Sequence, residues 1–198
     1  FLIPLVEKLF RLRWDESDGL AALVVSPTRE LSVQIFEVLR NIAKNHVFTA
    51  GLIIGGKSDF KAEQAMVPFM NVLVSTPGRL LQHLEQTPGF DASQIEVFVL
   101  DEADRLLDMG FKDEVNGILS YLPRERQTML FSATQTKSVK DLARLSLNMK
   151  NVEYVFTSEM RAEEGSGESE ATGAVPDRIV QNYVVCELKD KLSVLFGF

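Results

Sequence analysis

Four short apolar runs in this chain each stop abruptly at a polar cluster, and that recurrence constrains the fold more than any other feature. They are Leu20–Val25 before Ser26-Pro27-Thr28-Arg29-Glu30, Val72–Val74 before Ser75-Thr76-Pro77-Gly78-Arg79, Val97–Leu100 before Asp101-Glu102-Ala103-Asp104, and Thr128–Phe131 before Ser132-Ala133-Thr134. A run such as Val97–Leu100, apolar on both faces, suits a central strand of a parallel sheet. Helical stripes lie between or after the runs: Leu31, Ile35, Val38, Leu39 and Ile42; then Leu80, Leu81 and Leu84; then Val139, Leu142 and Ala143. Thr76 followed by Pro77 predicts a helix start, with Thr as cap and Pro at the first helical position. A further strand is expected at Gly51–Ile54, ending in Gly55-Gly56. Alternating strands and helices predict an α/β fold, a parallel sheet with helices on both faces.

Ligands of such sheets bind just beyond the carboxyl ends of the strands. There, Asp101, Glu102 and Asp104 place three carboxylates within four positions, in a chain with two His and one Cys. That donor set suits a hard cation, Mg²⁺, carrying a nucleotide phosphate. Asp101 would hold Mg²⁺ through water, because the ion dehydrates reluctantly. Glu102 would orient and deprotonate an attacking water, the main need of phosphoryl hydrolysis besides charge neutralisation. The plainer alternative is an acidic helix start that complements the dipole.

The net charge of −7 argues against bulk attraction for nucleic acid, so any such site has to be a local patch. A single Cys186 rules out an internal disulfide and fits a reducing compartment. Phe1–Val6 is apolar but lacks a basic flank, and no run approaches a membrane span of about 18 residues. The chain therefore reads as soluble and intracellular, with no membrane partner. Ser158–Ala174 holds five Glu, one Arg, three Gly and few aliphatics, which predicts a flexible acidic linker. The expected domains are residues 1–157, the linker 158–178, and the beginning of a second domain at 179–198. In that last segment a strand is expected over Ile179–Leu188 and a helix from Asp190 to Phe196.

Taken in order, Pro27-Thr28-Arg29-Glu30-Leu31, Gly55-Gly56, Thr76-Pro77-Gly78-Arg79, Asp101-Glu102-Ala103-Asp104 and Ser132-Ala133-Thr134 closely resemble the DEAD-box family of ATP-dependent RNA helicases. The likeness covers almost the whole chain. Within the family, Thr136–Ser146 and Asn45-His46 ahead of Gly51–Gly56 look like a nucleolar branch acting on small-subunit ribosomal RNA precursors. The resemblance implies a RecA-like sheet of the P-loop NTPase type, ATP and Mg²⁺ as cofactors, and pre-ribosomal RNA and ribosome-assembly proteins as partners in the nucleus and nucleolus. Asp101 and Glu102 would then serve Mg²⁺ and the hydrolytic water. Asp104 would hydrogen-bond toward Ser132 and Thr134 around Ala133, linking the nucleotide site to duplex opening; plain helix capping by those hydroxyls is the alternative. RNA contact falls to Pro27, Thr28, Arg29, Glu30, Gly55, Gly56, Thr76, Pro77, Gly78 and Arg79. Strand-end turns and helix starts there offer N–H groups to phosphates, and Arg29 and Arg79 add charge. Binding would be insensitive to base sequence. Gly55-Gly56 as a mere turn, and Arg29 paired with Glu30 or Asp101, are the bland alternatives.

A full family member opens with an adenine motif and a P-loop of the form G-x-x-x-x-G-K-[ST]. Neither is in these residues, nor is the first strand, and Phe1-Leu2-Ile3-Pro4 matches the helix that follows a P-loop. The second-domain arginine, worth about 10³–10⁵ in rate, is absent too. The chain on its own is therefore expected to be catalytically inactive. The competing readings are a non-hydrolysing RNA clamp or scaffold of a pre-ribosomal assembly and, more remotely, a Mg²⁺-dependent phosphohydrolase without RNA. His46 and His83 are expected at the surface, Met109 and Phe111 in the core, and Cys186 as a small buried hydrophobe.

Overall fold

The computed structural model describes residues 1–56, 59–148, 150–155 and 183–197. They divide between two units, with the division inside the undescribed stretch 156–182.

The first unit is a five-stranded parallel sheet. Its strands are β1 (Ala22–Val25), β2 (Ala50–Ile53), β3 (Val72–Ser75), β4 (Val97–Leu100) and β5 (Gln127–Leu130), arranged β2-β3-β1-β4-β5. β1 is the hub, aligned residue for residue with β3 on one side (Ala22 opposite Val72) and β4 on the other (Ala22 opposite Val97). Every residue of β1, β3 and β4 is buried, as their unbroken apolar runs require.

Successive residues point to opposite faces and build two cores. On one face Leu23, Val25, Leu73, Phe98 and Leu100 pack with Leu80, Leu84, Leu106, Val115, Ile118 and Leu142, contributed by α4 (Pro77–Gln86), α5 (Ala103–Asp108), α6 (Lys112–Tyr121) and α7 (Lys137–Ser146). On the other, Ala22, Val24, Val72, Val74, Val97 and Val99 meet α1 (Leu2–Leu12) and α2 (Arg29–Ala43). α1 buries Leu2, Leu5, Val6 and Leu9, an apolar stripe at helical spacing. Gly117 lets α6 approach α4 closely, since a methyl there would lie 3.0 Å from Leu81. A short α3 (Phe60–Met66), not marked by any strong sequence period, follows β2.

The expectations of an α/β parallel sheet with helices on both faces, and of its five strands, agree with the structure. Three residue placements in this unit do not. Val38 is exposed because α2 turns Ser32, Ile35, Leu39 and Ala43 inward instead. Met109 is exposed because Gly110, at φ 86°, breaks the helix between α5 and α6; only Phe111 of that pair packs on the core. His83 is fully buried, held by polar partners described below.

In the second unit, Tyr183–Gly197 carries a 3₁₀ turn, Leu188–Asp190, and α8, Lys191–Phe196. The expected helix is there. Of the expected strand, Ile179–Asn182 lies outside the described residues, and Tyr183–Glu187 forms no strand among the described ones. Cys186 is exposed, since no pairing element covers it among the described residues. The expected linker 158–178 lies outside the described residues. Among the described residues no helix is long and apolar enough to cross a membrane.

At the amino ends of the strands, buried Asn71 ties three segments together. Its Oδ1 accepts from Thr49 N at 2.8 Å and its Nδ2 donates to Gly19 O at 2.7 Å. Asn71→Ala would strand Thr49 N and leave Gly19 O with the Trp14 Nε1 donor at 3.0 Å, so stability should fall by about 1–2 kcal/mol. A urea midpoint shifted at constant slope is the expected result; an unmoved midpoint would show the clasp to be idle.

Candidate functional site

The strand order sorts the motifs along the carboxyl edge of the sheet. Following β2-β3-β1-β4-β5, the strand ends carry Gly55-Gly56, Thr76–Arg79, Pro27–Glu30, Asp101–Asp104 and Ser132–Thr134. Two groups result, one of turns and arginines and one of carboxylates and hydroxyls.

In the acidic group, Asp101 N donates to Val25 O at 2.9 Å, so the sheet continues up to the first carboxylate. The chain then turns sharply. Glu102 adopts φ 48°, ψ 56°, left-handed backbone that costs a non-glycine residue roughly 1 kcal/mol or more. The bend is held by Ala103 N donating to Phe131 O at 2.8 Å, which pins the start of α5 to the end of β5. Asp101 Oδ1 accepts from Glu102 N at 3.1 Å, and the Glu102 carboxylate pairs with Arg105 at 3.2 Å in solvent. Burial pushes the Asp101 carboxyl above its ordinary range, and the Glu102 charge adds to this; the Glu102 N–H opposes it. Asp104 Oδ2 accepts from both the N–H and the hydroxyl of Thr134, each at 3.0 Å. Ser132 Oγ goes to Thr134 O at 2.9 Å, not to Asp104. The Phe1 ring packs on Phe131, centroids 5.2 Å apart, so α1 starts beside this cluster.

Among the described residues no three His, Cys, Asp or Glu side chains converge on one point. The half-buried Asp101 carboxylate would suit Mg²⁺ that keeps most of its water, and the described residues would not make an all-protein cage.

In the other group, Thr28 caps α2, its hydroxyl accepting from Leu31 N at 3.2 Å. Buried Ser26 and Ser32 share a 2.7 Å hydrogen bond beneath it, and Pro27 is buried. Arg29 is exposed and lies across Gly56: a methyl built there would sit 2.7 Å from Arg29 Nη1. Gly56 also has φ 127°, so the backbone demands glycine, whereas the end of the exposed Arg29 side chain could give way. Arg29 thus packs on the glycine turn, not on Glu30 or Asp101. Thr76 occupies the cap position of α4, as expected, yet its hydroxyl does not cap the helix; it accepts from Gly55 N at 3.4 Å. Pro77 opens the helix, and Gly78 faces open space.

Arg79 does not project into solvent. Its Nε donates to Glu63 Oε2 at 2.7 Å, with both side chains nearly buried, and its guanidinium sits 4.9 Å from the centre of the Phe60 ring. The same Glu63 oxygen lies 2.8 Å from His83 Nε2, and His83 Nδ1 lies 2.8 Å from Thr87 Oγ1. Glu63 and His83 escaped the sequence reading. The available signal was polar Arg79, His83 and Thr87 recurring every four residues beside the apolar Leu80–Leu84 stripe.

A family model described as DEAD/DEAH box helicase matches residues 1–142. The human protein named probable ATP-dependent RNA helicase DDX10 is 56% identical over the whole chain, which covers 21% of it. The Mycosarcoma maydis ATP-dependent RNA helicase DBP4 is 57% identical over the whole chain, which covers 20% of it. The chain thus spans about a fifth of the length of these curated relatives. Among solved structures, a DEAD box protein from Methanococcus jannaschii superposes with TM-score 0.65 at 31% identity, over 73% of this chain and 38% of that one. Mss116p bound to ssRNA and AMP-PNP gives TM-score 0.65 at 33% identity, over 75% of this chain and 32% of that one.

Burial, the largest effect on His83, lowers its pKa below the ordinary 6.5, against the pull of Glu63. The folded state therefore keeps the imidazole neutral while the unfolded chain takes up a proton as pH falls. Stability from this group is complete above about pH 6.5 and is lost as pH drops below it. Unfolding midpoints between about pH 7 and 5 should fall more steeply for the parent than for His83→Gln; parallel profiles would contradict this.

Proposed function

The chain belongs to the DEAD/DEAH box helicase family, and from that membership we propose that the whole protein is an ATP-dependent RNA helicase. It couples ATP binding and hydrolysis to local unwinding or remodelling of RNA. What supports this reading most is the sorting of the motifs along one sheet edge: carboxylates over β4 and hydroxyls over β5, turns with N–H donors suited to phosphates over β2, β3 and β1.

In this reading Asp101 holds Mg²⁺ through water, and the ion supplies charge neutralisation at the transferred phosphate. Glu102, displayed on its left-handed corner, aligns and deprotonates the attacking water. The hold of Asp104 on Thr134 lets the end of β5, with Ser132 and Ala133, respond to the nucleotide. The RNA backbone lies along Pro27–Glu30, Gly55-Gly56 and Thr76–Arg79, where the starts of α2 and α4 offer N–H groups and Arg29 supplies charge. Recognition through phosphates explains how an acidic chain binds RNA without base specificity.

Residues 1–157 would form the first RecA-like domain, 158–178 a linker, and 179–198 the start of a second. Pre-ribosomal RNA and ribosome-assembly proteins are the proposed partners, in the nucleus and nucleolus. Supporting this are the branch-like segments Thr136–Ser146 and Asn45-His46 and the identity of over half the chain to DDX10 and DBP4.

Two outcomes test the reading in the full-length protein. Glu102→Gln should lower RNA-stimulated ATPase by about 10²-fold or more while RNA binding with ATP persists; undiminished turnover would remove Glu102 from its role and favour a non-hydrolysing clamp. Gly78 sits inside α4 with no neighbour within 4 Å of a built methyl. Gly78→Ala should therefore raise thermal stability slightly, by roughly 0.5–1 kcal/mol. It should nevertheless weaken RNA binding, because the methyl intrudes where a phosphate approaches; unchanged affinity would move the RNA path elsewhere.

A further inference from the structure

β2 leads through Gly55-Gly56 into α3, and β3 leads through Thr76 into α4. The gap between these two turns is the gap between two groups of N–H donors, yet among the described residues the bonds that link Thr76 back to that side are long, Gly55 N to Thr76 Oγ1 and Thr76 N to Ile53 O, each 3.4 Å. A firmer tie lies one helical turn further on. Glu63 of α3 meets two donors from α4 on one oxygen, Arg79 Nε at 2.7 Å and His83 Nε2 at 2.8 Å. Phe60 of α3 packs against both, 4.5 Å between ring centres for His83 and 4.9 Å to the Arg79 guanidinium. Gln82 Oε1 accepts from Arg79 Nη1 at 3.0 Å, which restrains the guanidinium further.

An ionised carboxylate only accepts hydrogen bonds, so His83 must present its proton on Nε2 to Glu63 and accept on Nδ1 from the Thr87 hydroxyl. The histidine is fully buried on a helix face whose neighbours are Leu80 and Leu84, where an aliphatic residue would bury at lower cost. His83 adds a second donor to the Glu63 oxygen that Arg79 already uses, which narrows the orientations open to that nearly buried pair.

We infer that His83 is a positioning residue: through Glu63 it fixes Arg79 and the start of α4 against α3, and so sets the spacing between the Gly55-Gly56 turn and the Thr76–Gly78 turn that grip the RNA backbone. This rests on the RNA reading above and adds residues that touch no ligand. A guanidinium held this way acts as a strut, with Arg29 as the exposed counterpart that meets phosphate.

The experiment measures binding of a fluorescent single-stranded RNA, and the RNA dependence of ATPase, in the full-length protein. Gln places its amide nitrogen near the Nε2 position, whereas Leu keeps only the bulk. His83→Leu should bind RNA about tenfold more weakly and need correspondingly more RNA for half-maximal ATPase, with maximal rate and ATP affinity unchanged. His83→Gln should restore affinity to within about twofold. If His83→Leu proves unstable, Glu63→Gln, which removes the charge at constant shape, should show the same RNA-specific loss. Parent-like RNA affinity in His83→Leu or Glu63→Gln, or failure of His83→Gln to restore it, overturns the strut. Arg29→Ala, run alongside, should weaken RNA binding in either case; its having no effect would instead overturn the RNA reading.

Discussion

Everything in the first unit depends on β1 being hydrogen-bonded on both sides. Its four residues align with β3 and with β4, and none is exposed. A parallel strand in that position needs cover on both faces, which α1 and α2 provide on one side and α4 to α7 on the other. The same strand decides the site. With β1 central, the Pro27–Glu30 turn stands between Thr76–Arg79 and Asp101–Asp104. Three distant segments thereby become neighbours along one edge.

The two halves of that edge are stabilised in different ways. Over β4 and β5 the backbone is bent against its preference at Glu102, and Asp101 is kept partly out of water. Both features oppose stability, and both are maintained by backbone bonds such as Ala103 N to Phe131 O and by the Thr134 clasp on Asp104. Over β2 and β3, among the described residues, positive φ falls at Gly56, and Arg79, Glu63, Gln82 and His83 hydrogen-bond to one another.

The fold was legible because parallel strands buried on both faces leave an unmistakable mark, a short unbroken apolar run with a polar stop. Val97–Leu100 matches β4 to the residue. The order of strands was not legible, since runs of the same kind do not say which neighbours which. Residue roles that depend on another element were equally hidden. Thr76 has the spacing of a helix cap but spends its hydroxyl on Gly55, and His83 looks like an isolated surface histidine until α3 supplies Glu63. Gly110 shows the local version of the same failure: one left-handed residue resets the helical phase and leaves Met109 outside.

Arg79 shows why a motif and its mechanism are separable. Its sequence position suggests a phosphate contact, whereas its guanidinium is enclosed by Glu63, Gln82 and Phe60. Pulling it out to meet an anion would take from a nearly buried carboxylate the cation it is paired with, and breaking such a pair typically costs about 3–5 kcal/mol. One phosphate contact at a wet surface does not recover that much. On the proposed RNA reading, this arginine would therefore be worth more in place than extended. The charge that reaches the ligand would come from Arg29, which lies exposed on a glycine turn and can move without uncovering any partner among those described.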